Sequence, residues 1–102
     1  MSKQLGGYIK IHRKMLEWGW YDDVNTKVVF LHLLLTANFK DTEWHGIQLK
    51  RGDVVTSISS LAEALKLSER NVRTALKHLE VTGEVTSKSH AKFRIISIKN
   101  YN

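Results

Sequence analysis

The chain has no cysteine and no proline. Without thiols there is no disulfide framework, no thiolate zinc site and no cysteine nucleophile, so packing alone must hold the fold, as suits a reducing cytoplasm. With no proline and six scattered glycines in 102 residues, no stretch reads as a linker or a repeat, and one continuous domain is expected over 1–102. No run approaches the ~20 apolar residues of a membrane span. Residues 1–7 hold no apolar stretch of signal-peptide length, so a cytoplasmic protein without a membrane partner is expected. A chain of this size buries only about two thirds of its unfolded surface and has little room for a deep substrate cleft. No glycine-rich loop runs into Lys-Ser/Thr, so nucleotide hydrolysis has no visible basis. These absences together argue against an enzyme and imply no cofactor.

Acidic residues are scarce at one end. Eight basic and seven acidic residues precede Leu65, eight basic and three acidic follow it, and the net charge is +1 before that point and +5 after it. Polyanions are the default partners of such a segment, provided that the fold gathers its charge on one side.

The apolar pattern predicts mixed α and β structure. Residues 8–18 set Ile9, Ile11, Met15, Leu16 and Trp18 among basic side chains and predict a helix that stops near Gly19. Asn25 is a candidate cap for a second helix, in which Val28, Leu31, Leu34 and Leu35 recur up to Ala37 and Val29, Phe30 and Leu33 widen the stripe. That helix is expected to be the buried centre. Ile47 and Leu49, the turn residues Arg51-Gly52-Asp53 and the β-branched run Val54-Val55-Thr56 predict a short strand pair.

Beyond Ser57 the signals sharpen. Ile58, Leu61, Ala62 and Leu65 fall at helical spacing, with Ser60 and Glu63 spaced as a capping box, and the helix is expected to end near Lys66. Ser68 is the next N-cap, Glu69 suits the positive end of the helix dipole, and Val72, Ala75, Leu76 and Leu79 repeat the stripe until Gly83 stops it. Residues 85–88 and 92–98 then read as a β-hairpin, with Phe93, Ile95, Ile96 and Ile98 as core candidates.

On a helical projection the apolar set lies within about 60° of Val72, whereas Arg70, Thr74, Lys77 and His78 fall at about 140–240°. Asn71 and Arg73 flank that face, and both acids of the helix, Glu69 and Glu80, keep to one edge near the core. Lysine and arginine neutralise phosphates, and arginine and asparagine have the fork geometry to pair with base edges in the major groove. A solvated helix face is the plain alternative; the paired-helix spacing and the basic hairpin beside it favour nucleic acid.

Ser57-Ile58-Ser59-Ser60-Leu61-Ala62, Leu65-Lys66-Leu67-Ser68, the run from Val72 to Glu80 and Gly83 together resemble bacterial winged helix-turn-helix domains. A second resemblance covers nearly the whole chain: Gly7-Tyr8-Ile9-Lys10, Trp18-Gly19-Trp20-Tyr21, Leu33-Leu34-Leu35-Thr36-Ala37-Asn38, Trp44-His45-Gly46-Ile47, Lys50-Arg51-Gly52-Asp53-Val54-Val55-Thr56-Ser57 and Ile98-Lys99-Asn100-Tyr101. These look like the N-terminal domain of phage and prophage replisome organisers of the DnaD type, proteins that seed a primosome at a replication origin. The resemblance implies an α+β fold, mostly helical, with a C-terminal β-hairpin wing and a short additional strand pair. It also implies that a second domain, which engages DNA or helicase-loading proteins in a bacterial host, follows 1–102 in a longer protein. On a winged helix, 68–82 would enter the major groove of double-stranded DNA. Arg70, Asn71, Arg73, Thr74 and Lys77 would then read it, with His78 beside a phosphate and Lys88, His90 and Lys92 as wing contacts. One position departs from the pattern: Lys66 stands where the turn between the paired helices usually has glycine.

Other constellations point elsewhere. His12, His32, His45, His78 and His90 never come within one helical turn of each other, so no metal site is expected. Asp22-Asp23 suits a turn or cap better than catalysis. Trp18, Trp20 and Tyr21 crowd three large aromatics into four positions, which are hard to bury in a small domain and motivate a second reading as an oligomer interface. A transcriptional regulator is a third, since the same motif serves both roles.

Overall fold

The helix pair is where local sequence alone decides the structure. In the computed structural model, which describes residues 7–101, α2 spans Ile58–Leu65 and α3 spans Glu69–Val81. The hydroxyl of Ser57 accepts the Ser60 N–H at 3.1 Å and caps α2. The helix thus begins three residues before the expected Ser60–Glu63 capping box, which lies inside it. Ser68 caps α3 as expected, accepting the Asn71 N–H at 3.0 Å. Thr82 ends the helix, and Gly83 turns left-handed at φ 87°. Gly83 N–H donates to the Glu80 carbonyl and Glu84 N–H to that of Leu79, at 3.2 and 2.9 Å, which satisfies the last carbonyls by the paired bonds of a Schellman turn.

Lys66 closes α2 at φ 59° and ψ 41°, so the position that favours glycine is occupied by a residue with a Cβ. Left-handed backbone costs such a residue about 1–2 kcal/mol, and glycine costs about 0.5–1 kcal/mol more than another residue to order. Lys66→Gly is therefore expected to stabilise the fold by about 0.5–1 kcal/mol, read as a higher urea midpoint at unchanged slope. A lower midpoint would show that the lysine side chain contributes more than its backbone costs.

α1 spans Val24–Thr36. It is capped by Asp23, whose Oδ1 accepts the Thr26 N–H at 3.1 Å, and not by Asn25, which lies in the first turn. Its innermost line is Thr26, Val29 and Leu33, all at 0% exposure, whereas Leu35 is 68% exposed. The expected stripe of Val28, Leu31, Leu34 and Leu35 is therefore out of phase. A helix apolar on every side gives periodicity nothing with which to choose a face.

The N-terminal segment departs furthest from expectation. Instead of a helix over 8–18 there is a single 3-10 turn, Arg13–Glu17. On a helical projection its apolar residues fall on two opposite sides and build no single stripe, and Tyr8, Ile11 and Leu16 remain exposed.

Among the described residues five strands form two antiparallel sheets. β1 (Thr42–Trp44) and β2 (Ile47–Leu49) pair through His45-Gly46, both at positive φ as a two-residue hairpin turn requires. β3 (Asp53–Thr56) does not pair with β2 as expected. The Arg51-Gly52-Asp53 turn sends it to a second sheet, where it lies beside β5 (Arg94–Ile98), with β4 (Val85–Ser89) on the far edge in the order β3-β5-β4. Gly52 sits at φ 92°, where any other residue would be strained, and an added Cβ would sit 3.0 Å from that of Tyr101, tighter than ordinary packing.

The result is an α+β fold whose core joins Val29 and Leu33 of α1, Ile58 and Leu61 of α2, Val72, Ala75, Leu76 and Leu79 of α3, and Val54, Val85, Ile96 and Ile98 of the sheet. Of the expected hairpin core, Ile96 and Ile98 are buried, while Phe93 and Ile95 are half-buried on the other face. No helix of the described residues is long and apolar enough to cross a membrane.

Candidate nucleic-acid interface

Packing fixes which way α3 faces. Val72, Ala75, Leu76 and Leu79 are at most 2% exposed, so the opposite side of the helix must meet solvent. Arg70, Asn71, Arg73, Thr74 and Lys77 are all exposed there. Arg73 approaches Glu69 one turn back at 3.7 Å, with both side chains at least half exposed. Such a surface pair is worth under about 1 kcal/mol and would yield readily to a phosphate.

His78, expected beside a phosphate, is turned inward. Its ring stacks on Trp20 with centroids 4.1 Å apart and planes within 8°. Its Nδ1 shares a 2.8 Å hydrogen bond with the hydroxyl of fully buried Thr26 and lies 3.5 Å from Asp23 Oδ2. The histidine thus ties α3 to the start of α1 and is withdrawn from the exposed face. Nothing near it in sequence signals this, because its partners come from residues 20–26.

The same is true of the aromatics expected at an oligomer interface. Trp18 Nε1 donates to Glu84 Oε2 at 2.8 Å, and its ring lies 5.0 Å from Phe30. Trp20 Nε1 donates to the Thr82 hydroxyl at 2.9 Å. Both indoles are half-buried and clamp the N-terminal segment onto the end of α3. None of the three aromatics is fully buried, but both indole N–H groups are spent within the chain. Tyr21 remains at the surface, 36% exposed, with Lys27 Nζ 4.2 Å from its ring centroid.

The hairpin residues divide. Pairing of Ser87 with Ile96 and of Val85 with Ile98 puts those side chains on the face toward the helices. By strand alternation Lys88 and Ile95, also a directly opposed pair, share the outer face. His90 and Phe93 continue the outer positions into the turn, which is closed by a 2.8 Å bond from His90 N–H to the Phe93 carbonyl. Lys92 is exposed in the turn itself. Sequence reasoning missed what meets this outer face. Trp44, from the β1-β2 hairpin, sets its ring edge-on to Phe93 at 4.9 Å, and Phe93 stacks on His90 at 4.5 Å and 9°.

No family model, curated protein or solved structure matches the chain. The reading of its surfaces therefore rests on their chemistry. Among the described residues no three histidine, aspartate or glutamate side chains gather as a metal site would require. One carboxylate just beyond α3 is engaged: Glu84 accepts from Trp18 and from the Thr82 hydroxyl. What α3 offers is a row of cations and hydrogen-bonding side chains with a rigid apolar backing.

Proposed function

We propose that this is a duplex-DNA-binding domain of the winged helix-turn-helix type, serving replication initiation in a phage or prophage as the sequence resemblance implies. The observation that carries the reading is the exposed face of α3, where three cations, Asn71 and Thr74 stand on a helix anchored by four buried residues. The topology is in keeping with it: a helix pair joined by a short turn, followed by a two-stranded hairpin whose tip carries Lys92. A helix of this kind fits the major groove, and phosphate contacts hold its register while polar forks read base edges. Helicase-loading proteins, as partners of a further domain, belong to the same proposal. Homo-oligomerisation is the lesser reading, since Trp18 and Trp20 spend their indole N–H groups within the chain.

Salt titration tests the reading. Arg70, Arg73, Lys77 and Lys92 as phosphate contacts predict that log K falls against log [salt] with a slope of roughly −3 to −4. Asn71→Ala should leave that slope unchanged, weaken a cognate site by about 1–3 kcal/mol and hardly affect random duplex. Equal losses on both DNAs would remove Asn71 from base reading, and a slope near zero would overturn the interface.

A further inference from the structure

The outer face of the three-stranded sheet holds a group of rings that the duplex interface does not use. We propose that this face binds unpaired nucleobases of single-stranded DNA, so that the domain engages a duplex at its junction with an open strand. The inference rests on the DNA-binding reading above and names the form of DNA.

Three observations support it. First, the rings form a continuous set drawn from two hairpins: His45 lies edge-on to Trp44 at 4.4 Å, Trp44 edge-on to Phe93 at 4.9 Å, and Phe93 parallel to His90 at 4.5 Å. Second, the outer members are open. His45 and His90 are exposed and Trp44 and Phe93 half-buried, so His90 is covered on one face by Phe93 and is placed to extend the stack by one further flat ring. Third, the charged side chains that the β4-β5 hairpin places beside the rings are cations. Lys88 shares the outer face with Phe93, and Lys92 sits in the turn between His90 and Phe93. Strand alternation puts Glu43 on the opposite side of β1 from Trp44, and Asp41 Oδ1 accepts the Arg51 N–H at 3.0 Å. Flat rings beside cations suit a chain that alternates π faces with phosphates, and such stacking tolerates any base because every base has a face. Paired bases in a duplex hide those faces, which is why the ligand must be unpaired.

The experiment compares binding to a blunt duplex, to the same duplex with a thymidine tail of about ten nucleotides, and to one whose tail carries abasic sugars. The native chain should bind the thymidine tail at least about tenfold more tightly than the blunt end, whereas the abasic tail, with the same phosphates, should recover little of that gain. Phe93→Leu keeps apolar bulk against Trp44 but removes the stacked ring, and should abolish the preference while blunt-duplex affinity stays within about twofold. Should that variant fold poorly, His45→Asn serves instead. It removes an exposed ring at a turn position of φ 49°, a conformation that asparagine tolerates, and should reduce the preference severalfold. A native chain that treats all three DNAs alike, a tail preference that the abasic tail reproduces in full, or a preference that survives both substitutions would each overturn the proposal. Tight binding to the thymidine tail without any to blunt duplex would uphold the single-strand site on the sheet and refute the α3 reading, and with it the junction.

Discussion

Leu79→Ala is expected to lower the unfolding free energy by about 2–5 kcal/mol, whereas Val81→Ala in the same helix should change it by no more than about 0.5 kcal/mol. The contrast follows from where the two residues point. Leu79 is at 0% exposure in the core that α3 shares with α1 and the sheet, and Val81 is 70% exposed. Truncating a buried leucine removes its transfer free energy and leaves a cavity that rigid neighbours fill only in part. In a domain whose total stability is about 5–15 kcal/mol, that loss is a large fraction. Denaturant midpoints of the two variants measure it directly. Similar midpoints would mean that α3 is not seated as described, and the exposure of its basic face would lose its basis.

That seating was legible in the sequence, and the reason is local. Across 57–83 each helix carries its own cap, stripe and stop: the capping-box spacing puts the cap of α2 three residues late, but Ser68, Val72, Ala75, Leu76, Leu79 and Gly83 do what their spacing says. The basic face follows by subtraction. The hairpin was legible for a similar reason, since its two strands are adjacent in the chain and its turn is short. Where partners lie far apart the pattern fell silent. β3 and β2 both read as strands, but their true partners, β5 and β1, are fixed by the turn at Gly52 and by His45-Gly46, and alternation alone does not report pairing. α1 is apolar all round, so its buried face is set by what packs on it. His78 shows the same limit at the candidate site. A helical projection puts it with the exposed cations, and only the stacking indole of Trp20 and the buried Thr26 hydroxyl draw it inward. The ring cluster of Trp44, His45, His90 and Phe93 likewise joins two hairpins about half the chain apart, and no local signal marks it.

The largest functional effect is expected from removing the three cations of α3 together. Arg70, Arg73 and Lys77 are all exposed, and among the described residues the ion pair they make is that of Arg73 with exposed Glu69 at 3.7 Å, so replacing them with alanine disturbs no buried contact. The variant should unfold at a denaturant midpoint close to that of the parent, since surface substitutions seldom exceed about 0.5 kcal/mol. Its DNA binding should behave differently. Each phosphate contact releases close to one counterion, which at ~50 mM salt is worth roughly tenfold in affinity. Loss of three contacts then amounts to about a thousandfold, far more than any single substitution on this surface.

The measurement that bears most directly on the account is duplex binding by this triple variant, followed across a range of salt concentrations beside the parent. The account predicts that affinity at low salt falls by about a thousandfold and that the slope of log K against log [salt] shrinks from roughly −3 to −4 to about −1, the share left to Lys92. A folded triple variant that binds duplex as tightly as the parent, with the same slope, would contradict it and place the DNA contacts, if any, on another face of the molecule.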